Sequence, residues 1–262
     1  MPAPDEVRTE IDGPVLIVTL DRPKANAIDS RTSRALYNAF ELLRTDDSLR
    51  AAVLTAAGDR FFSAGWDLTA AHAGEPPDAD HGPGGFAGIT ELFGLTKPII
   101  AAVNGSAYGG GVEMMLAADL VVASDAAKFS LPEARIGVLP DAGGVVRLSS
   151  LLPRPLATEL LLTGRTFTAA EAHRWGLVNR VVPADRVLET AKELARQVCE
   201  AAPLSVAATL EIIEATQGLR DQDAFEVMRY ALPTVAQVSA SEDAREGARA
   251  FIEKRAPQWQ GC

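Results

Sequence analysis

Short apolar segments alternate with helical segments over the first two thirds of the chain, and this alternation constrains the fold most strongly. Residues 51–55 and 98–103 are apolar runs of strand length, and the helical pattern of residues 112–118 follows the second run. Alternating strands and helices are typical of α/β folds. From Asp185 onward, apolar residues recur at helical spacing and no strand candidate occurs. The sequence therefore predicts an α/β core over residues 1–184 and a helical region over residues 185–262.

Turn and cap signals place individual elements within this pattern. Asp12 and Gly13 separate two short strands, which predicts a β-hairpin. Asp29 and Ser30 precede a helical pattern and are suited to cap it. Residues 70–88 are rich in Gly, Pro and Asp, and loops of that length in a compact domain are usually functional or mobile. Beyond the core, the spacing predicts helices over residues 187–201, 205–217, 224–238 and 242–254.

Composition and charge exclude several classes of function. Hydrophobic residues make up 47% of the 262 residues and charged residues 23%, as in soluble globular proteins. The net charge of −10 argues against a nucleic-acid partner, which requires a basic face. Two cysteines and an acidic start, with Asp5 and Glu6, indicate neither a disulfide framework nor a signal peptide. We therefore expect a cytoplasmic protein, with neither a membrane partner nor, because its three histidines are widely separated, a metal site.

A glycine turn follows the short apolar strand that includes Phe62. Gly65 allows the backbone to bend, so that the N–H group of Trp66 can point into a cavity. The alternative is an ordinary turn at the end of a strand, with a buried tryptophan.

Three consecutive glycines, Gly109 to Gly111, open the apolar helix. Such a helix start exposes N–H donors and carries partial positive charge, which suits an anion or a developing oxyanion. The segment lacks the Gly-Lys-Ser/Thr of a phosphate-binding loop. The alternative is close helix packing that tolerates only glycine.

Three acidic residues are candidates for chemistry. Glu113 lies about one turn into the apolar helix, and Glu133 follows a short strand. A buried glutamate has a shifted pKa and is often functional, whereas a glutamate at the surface is the commoner case. Asp141 precedes another apolar helix and has the alternative role of an N-cap.

These motifs occur together with several others in a fixed order along the chain. The others are Arg22-Pro23-Lys24-Ala25-Asn26-Ala27, Lys97-Pro98, Leu131-Pro132-Glu133-Ala134, Gly143-Gly144, Leu162-Thr163-Gly164-Arg165, Glu171-Ala172 and Trp175-Gly176-Leu177-Val178-Asn179. In this combination the chain resembles the crotonase superfamily of enoyl-CoA hydratases and isomerases. Trp66, the loop around residues 74–88 and Pro140-Asp141 resemble the carnitinyl-CoA dehydratase branch more closely.

The resemblance implies a fold, an assembly and a set of site residues. The fold is a spiral of ββα turns with a helical C-terminal trimerisation region, and the assembly is a homotrimer or a hexamer made of two trimers. The catalytic residues are Glu113 and Glu133, and the oxyanion donors are the N–H groups of Trp66 and Gly110. Coenzyme A is part of the substrate, and no separate cofactor is implied. The implied substrate-binding residues are Lys24, Ala25, Ala27, Ala64, Asp67, Leu68, Asp141 and Lys254.

The implied activity is the reversible hydration of a 2-enoyl-CoA thioester, with crotonobetainyl-CoA and carnitinyl-CoA as the narrower expectation. By the same resemblance, Glu133 moves the α-proton and Glu113 acts mainly on the water. Two alternatives stay open: a double-bond isomerase that uses Glu133 and Asp141, and a non-catalytic acyl-CoA-binding protein.

Overall fold

The computed structural model of this protein describes residues 6–76 and 78–262. The first five residues and Pro77 lie outside the described residues. The signal-peptide expectation rests partly on those first residues, and Pro77 belongs to the long loop. The described chain forms two compact units, residues 6–93 with 98–195 and residues 94–97 with 196–262. The division at residue 195 falls inside a helix that begins at Val187.

The first unit contains all the strands of the described residues. They are β1 (Val7–Asp12), β2 (Val15–Leu20), β3 (Ala27–Ile28), β4 (Ala51–Ala56), β5 (Phe61–Ser63), β6 (Gly65–Trp66), β7 (Ile99–Val103), β8 (Ser106–Tyr108), β9 (Leu120–Ser124), β10 (Lys128–Ser130), β11 (Phe167–Thr168) and β12 (Arg180–Val182). Its helices are α1 (Ser30–Thr45), α2 (Leu68–His72), α3 (Gly110–Leu116), α4 (Gly144–Leu151), α5 (Arg154–Thr163), α6 (Ala169–Arg174) and the greater part of α7 (Val187–Cys199).

Two sheets form the frame of this unit. The first has the strand order β1-β2-β4-β7-β9-β12 and is parallel except for the hairpin of β1 and β2, in which Asp12 pairs with Val15. The second has the order β11-β10-β8-β5, and β3 and β6 form a separate parallel pair. Three successive strand pairs, β4 with β5, β7 with β8 and β9 with β10, each place one strand in each large sheet. This repetition is the ββα spiral expected of the crotonase fold.

Hydrophobic burial explains the frame. Every residue of β4 and of β7 is buried, as expected for strands with neighbours on both sides and covered faces. Asp29 caps α1, because its side chain accepts a hydrogen bond from the N–H group of Thr32, as the cap signal predicts. The loop predicted over residues 70–88 is partly helical: α2 extends to His72, and a 3-10 turn spans Phe86–Gly88.

The second unit is helical within the described residues. It contains the end of α7, then α8 (Pro203–Thr216), α9 (Asp221–Glu226), α10 (Thr234–Ala240) and α11 (Glu242–Glu253). The single helix predicted over residues 224–238 is wrong. A π-helical turn (Val227–Ala231) follows α9, and the backbone is extended at Leu232 before Pro233, because a proline disfavours helical backbone in the residue before it. No helix in the described part of the chain is long and apolar enough to cross a membrane.

Candidate active site

One cavity of about 430 Å³ in the first unit brings most of the predicted site residues together. Residues as far as 77 positions apart meet there because β6, α3 and the turns after β10 and before α4 converge on it. Those that line the cavity are Ala64, Trp66, Leu68, Gly110, Glu113, Glu133 and Asp141.

The turn at Gly65 places the backbone of Trp66 beside the start of α3. Gly65 has φ of +82°, and a Cβ there would lie 2.6 Å from the carbonyl oxygen of Tyr108 and 2.7 Å from the nitrogen of Gly110. Glycine is therefore required for both the conformation and the close approach. The N–H of Gly65 donates to Ser63 Oγ over 3.0 Å, and Ser63 donates to the carbonyl of Asn26 over 2.7 Å, so the turn is fixed by hydrogen bonds.

The glycines before and within α3 are also required by packing. A Cβ on Gly110 would lie 2.5 Å from the ring of Phe86, and one on Gly111 would lie 2.3 Å from the carbonyl oxygen of Ser63. As the first residue of α3, Gly110 has an N–H group with no acceptor inside the helix. Two backbone donors, those of Trp66 and Gly110, thus belong to residues that line the same cavity.

Glu113 is a buried carboxylate held by a backbone hydrogen bond. Its exposed fraction is 4%, and its Oε1 accepts a hydrogen bond of 2.8 Å from the N–H group of Gly144. Burial raises the pKa of Glu113 to about 8, and the charges of Glu133 and Asp141 add to this effect. The Gly144 hydrogen bond opposes it. Glu113 therefore keeps its proton at neutral pH in the unliganded protein.

Glu133 begins the 3-10 turn Glu133–Ile136 after β10 and is also buried, with an exposed fraction of 8%. Its Oε2 has no hydrogen-bond partner among the described residues. Burial raises the pKa of Glu133 above its ordinary value, and the charge of Asp141 acts in the same direction. A Cβ on Gly109 would lie 2.7 Å from Glu133 Oε1, so the missing side chain of that glycine leaves room for the carboxylate. Both glutamates carry perturbed carboxyl groups in one cavity, a combination typical of acid–base sites.

Asp141 lines the cavity and does not cap the following helix. The N-cap of α4 is Gly143, which has φ of +110°. The alternative that Asp141 serves as a helix cap is therefore wrong, because the two glycines after it delay the start of the helix. Its exposed carboxylate contributes negative charge to the site instead.

Trp66 is among the residues that line the cavity. Its Nε1 atom is buried and has no hydrogen-bond partner in the described part of the chain. A buried indole N–H usually has an acceptor, so this atom is available to a ligand.

The predicted coenzyme A residues are distributed around this cavity and beyond it. The carbonyl of Ala25 accepts a hydrogen bond of 2.9 Å from the N–H of Ala64, and Ala27 pairs with Gly65. Lys24 lines a separate cavity of about 270 Å³, which also includes Arg60. Lys254 belongs to the second unit, where it ends α11 with φ of +55°.

Asp67 has a local structural role. Its side chain caps α2 and lies 2.6 Å from Arg22 Nη1. Although burial acts in the opposite direction, the hydrogen bond and charge of Arg22 hold the pKa of Asp67 below its ordinary value. Asp67 therefore helps to anchor the turn that carries Trp66.

Four residues contribute to the site through contacts that the sequence analysis did not predict. Phe86 packs on Gly110, and the N–H of Gly144 holds Glu113. Arg147 donates to the carbonyl of Thr90 over 2.6 Å, and its charge acts on Glu113. His81 lines the cavity, while its Nδ1 is 2.8 Å from Ser33 Oγ. The Gly143-Gly144 pair was visible as a motif, but its contact with Glu113 depends on the fold.

The fold and the cavity define a protein of the crotonase fold with a paired-glutamate site. The family model for enoyl-CoA hydratase/isomerase matches residues 10–262. A carnitinyl-CoA dehydratase of Salmonella arizonae is 54% identical over 258 residues, which cover 98% of this chain and 99% of that protein. The chain belongs to the enoyl-CoA hydratase/isomerase family.

Solved structures support the same assignment. An enoyl-CoA hydratase of Mycobacterium tuberculosis superposes with a TM-score of 0.90 at 40% identity, covering 98% of this chain and 99% of that chain. A carnitinyl-CoA hydratase of Mycobacterium avium superposes with a TM-score of 0.77 at 42% identity, covering 99% of this chain and 100% of that chain. No group of three or more His, Cys, Asp and Glu side chains in the described residues is arranged to hold a metal ion.

Proposed function

We propose that this protein catalyses the reversible hydration of a 2-enoyl-CoA thioester, and that crotonobetainyl-CoA and carnitinyl-CoA are its substrate and product. The observation that carries the reaction type is the burial of Glu113 and Glu133 in one cavity with the turns of Trp66 and Gly110. The acyl group is taken from the relatives that are 54% identical and named carnitinyl-CoA dehydratase.

The two backbone N–H groups provide the oxyanion hole in this proposal. Loss or gain of a proton at the α-carbon of a thioester places negative charge on its carbonyl oxygen. Fixed donors at Trp66 and Gly110 would stabilise that enolate, and one such donor typically contributes about 3–4 kcal/mol. The glycines on which this depends are those that bring the two turns within van der Waals distance of each other.

The two glutamates carry the protons. In the dehydration direction, the carboxylate of Glu133 removes the α-proton, and the resulting enolate expels the β-hydroxyl group. Glu113 donates its proton to that hydroxyl, so water leaves and the α,β double bond forms. Hydration is the reverse. The raised pKa of Glu113 supports its assignment as the acid, and because two nearby carboxyl groups titrate as a pair, the active form holds one proton between them.

Coenzyme A binding is assigned to the residues on either side of β6. We propose that the pantetheine passes Ala64, Asp67 and Leu68, and that Lys24, Ala25 and Ala27 contact the nucleotide part. Lys254 is proposed to contact a phosphate group of coenzyme A, bound either in its own subunit or in a neighbouring one. No cofactor beyond the coenzyme A of the substrate enters the reaction.

Assembly is assigned to the second unit. Exposed apolar side chains there include Phe225, Tyr230 and Phe251, and large exposed apolar surfaces commonly mark interfaces. We propose a homotrimer or a hexamer of two trimers, in the cytoplasm, where Cys199 and Cys262, which form no disulfide in the described chain, would stay reduced. Light scattering at micromolar concentration tests this, and a monodisperse monomer would contradict it.

Incubation with crotonyl-CoA tests the reaction type. A catalyst removes the enoyl-thioester absorbance and forms 3-hydroxybutyryl-CoA, whereas a non-catalytic acyl-CoA-binding protein leaves the absorbance unchanged. Crotonobetainyl-CoA, assayed in parallel, tests the acyl group. A higher kcat/KM for crotonobetainyl-CoA is expected.

An isomerase is the second candidate, and Asp141 is the observation in its favour. Asp141 lines the cavity, and its charge acts on Glu133, so the two could exchange a proton between the α- and γ-carbons of a substrate. Incubation with a 3-enoyl-CoA distinguishes the two: an isomerase yields the 2-enoyl-CoA without prior formation of a hydroxyacyl-CoA.

A further inference from the structure

The wall of the active-site cavity is unusually acidic. No lysine or arginine is among the described residues that line it. The carboxylates that line it are Asp78, Asp80, Glu91, Glu113, Glu133 and Asp141.

Four of these six carboxyl groups have another role or a neighbouring cation. Glu113 and Glu133 are the proposed acid–base pair. Asp80 lies 2.7 Å from Arg34, and Glu91 interacts with the charge of Arg147.

Asp78 and Asp141 have no cationic partner among the described residues. Both are exposed at the opening of the cavity. The negative charge of Asp141 acts on groups inside the cavity, because it raises the pKa of both Glu113 and Glu133. These two aspartates therefore give the cavity negative charge that nothing in the described chain neutralises.

The rest of the wall is suited to a ligand with positive charge. Trp66, which lines the cavity, carries an aromatic ring. Burial lowers the pKa of His81, which disfavours a positive charge on this side chain. The buried Oε2 of Glu133 lacks a partner among the described residues, which independently indicates that this cavity is completed by a ligand.

We propose that Asp78 and Asp141, with the ring of Trp66, select acyl groups that carry a fixed positive charge, such as a quaternary ammonium group on the γ-carbon. The inference rests on the proposed function and adds to it the residues that recognise the charge. A cation between two carboxylates and an aromatic face gains electrostatic attraction that a neutral group of the same shape does not.

Two substrates of equal shape test the proposal. Crotonobetainyl-CoA and 5,5-dimethylhex-2-enoyl-CoA differ only in the replacement of the quaternary nitrogen by carbon. We expect the cationic ester to have a kcat/KM at least tenfold higher, which corresponds to about 1.4 kcal/mol. The preference should shrink in 1 M salt, where the Debye length is about 3 Å, because both aspartates are exposed.

Charge-neutralising variants identify the residues. Asp78→Asn and Asp141→Asn should each reduce the ratio of the two kcat/KM values at least threefold. Asp47→Asn, which removes an exposed carboxylate that does not line the cavity, should leave the ratio unchanged. Because both esters are measured on each variant, a general loss of folding or activity cancels in the ratio.

Each outcome bears on one of the two proposals. Hydration of both esters with equal efficiency would overturn the charge selection and leave the proposed reaction intact. A preference that is unaffected by either aspartate variant would show that other groups recognise the cation. If neither ester, nor crotonyl-CoA, is hydrated by the unmodified protein, the proposed function itself is overturned, and the charge selection that depends on it is overturned as well.

Discussion

The N–H group of Gly144 donates a hydrogen bond of 2.8 Å to Oε1 of Glu113, and so joins the start of α4 to the side chain that projects from α3. This contact fixes one oxygen of the proposed acid and leaves the other for the substrate. It also explains why the glycine pair before α4 matters, since a Cβ on Gly144 would lie 2.8 Å from Cβ of Pro140 and 3.0 Å from Glu113 Oε1.

Gly144→Ala should therefore reduce turnover by displacing the carboxylate of Glu113. We expect kcat to fall at least tenfold, whereas the affinity for a CoA ester changes less than threefold, because Gly144 contacts Glu113 and Pro140 and none of the proposed coenzyme A residues. Steady-state kinetics and calorimetric titration measure the two effects. The control is Gly247→Ala, a helical glycine in α11 where an added Cβ meets nothing closer than 3.4 Å. Equal kcat values for the two variants would contradict the prediction.

The glutamates are expected to dominate turnover. Glu113→Gln and Glu133→Gln should each lower kcat by about 10²–10⁴, the usual contribution of general acid–base catalysis, and leave CoA-ester binding nearly intact. Glu10→Gln, which changes an exposed side chain of β1, is the matched control. Near-normal turnover in either active-site variant would remove that residue from the mechanism.

The raised pKa of Glu113 predicts how dehydration depends on pH. The acid must hold its proton to protonate the leaving hydroxyl, and it loses that proton as the pH rises through about 8. The rate of carnitinyl-CoA dehydration should therefore fall on the alkaline side near that value, as measured by kcat/KM between pH 6 and 10. A flat profile up to pH 10 would show that Glu113 does not supply the proton.

The same shift predicts a change in stability with pH. The folded protein holds the Glu113 proton up to about pH 8, whereas a glutamate has an ordinary pKa of 4.5. Between these values the folded state binds more protons than the unfolded state, so the free energy of unfolding decreases as the pH rises. Glu113→Gln removes this penalty, which is absent below about pH 4.5 and complete above about pH 8.

Thermal unfolding at pH 5 and pH 8.5 measures this penalty. Between pH 5 and pH 8.5, the Tm of the unmodified protein should decrease by several degrees more than the Tm of Glu113→Gln. A change of 1 kcal/mol in the free energy of unfolding corresponds to roughly 2–4 °C in a chain of about this size. Glu10→Gln is again the control. Parallel Tm changes in all three proteins would show that Glu113 is not held in its neutral form.

Local features of the sequence predicted the frame and the turns of the site. The strands follow from apolar runs, and the turns at Gly65 and Gly109 follow from a residue type whose backbone freedom is required there. Contacts that depend on tertiary packing were not predictable in this way. Phe86 reaches Gly110 only because the turn around residues 86–88 is packed on α1. Pro233 is a sequence signal for the end of a helix. The prediction missed it because apolar residues recur at helical spacing on both sides of this proline.

The proximity of the two glutamates also depends on tertiary packing and could not be predicted from local sequence alone. Glu113 and Glu133 are separated by 20 positions, which is not a spacing within one helix. Their order among the other motifs suggested that they belong together, but only the convergence of α3 with the turn after β10 places both in one cavity.

Trp66 is expected to limit the length of acyl chain that the cavity accepts. Its backbone N–H could be provided by any residue except proline, so the indole is the part of Trp66 that can discriminate between acyl groups. Trp66 lines the cavity, and a buried aromatic side chain can cover about 150–250 Å². Trp66→Ala should therefore admit longer, straight chains. It should also weaken binding of a trimethylammonium group, because cation–π contact contributes roughly 0.5–2 kcal/mol.

Assays of Trp66→Ala on crotonyl-, decenoyl- and crotonobetainyl-CoA test both effects of the indole. We expect kcat/KM to rise at least fivefold for decenoyl-CoA and to fall at least threefold for crotonobetainyl-CoA, with a smaller change for crotonyl-CoA, whose short chain needs neither the space nor the cation contact. Trp175→Ala, a change at a tryptophan that packs on Phe167 and does not line the cavity, is the control for general destabilisation. An unchanged chain-length profile in Trp66→Ala would show that this residue contributes only its backbone to the site.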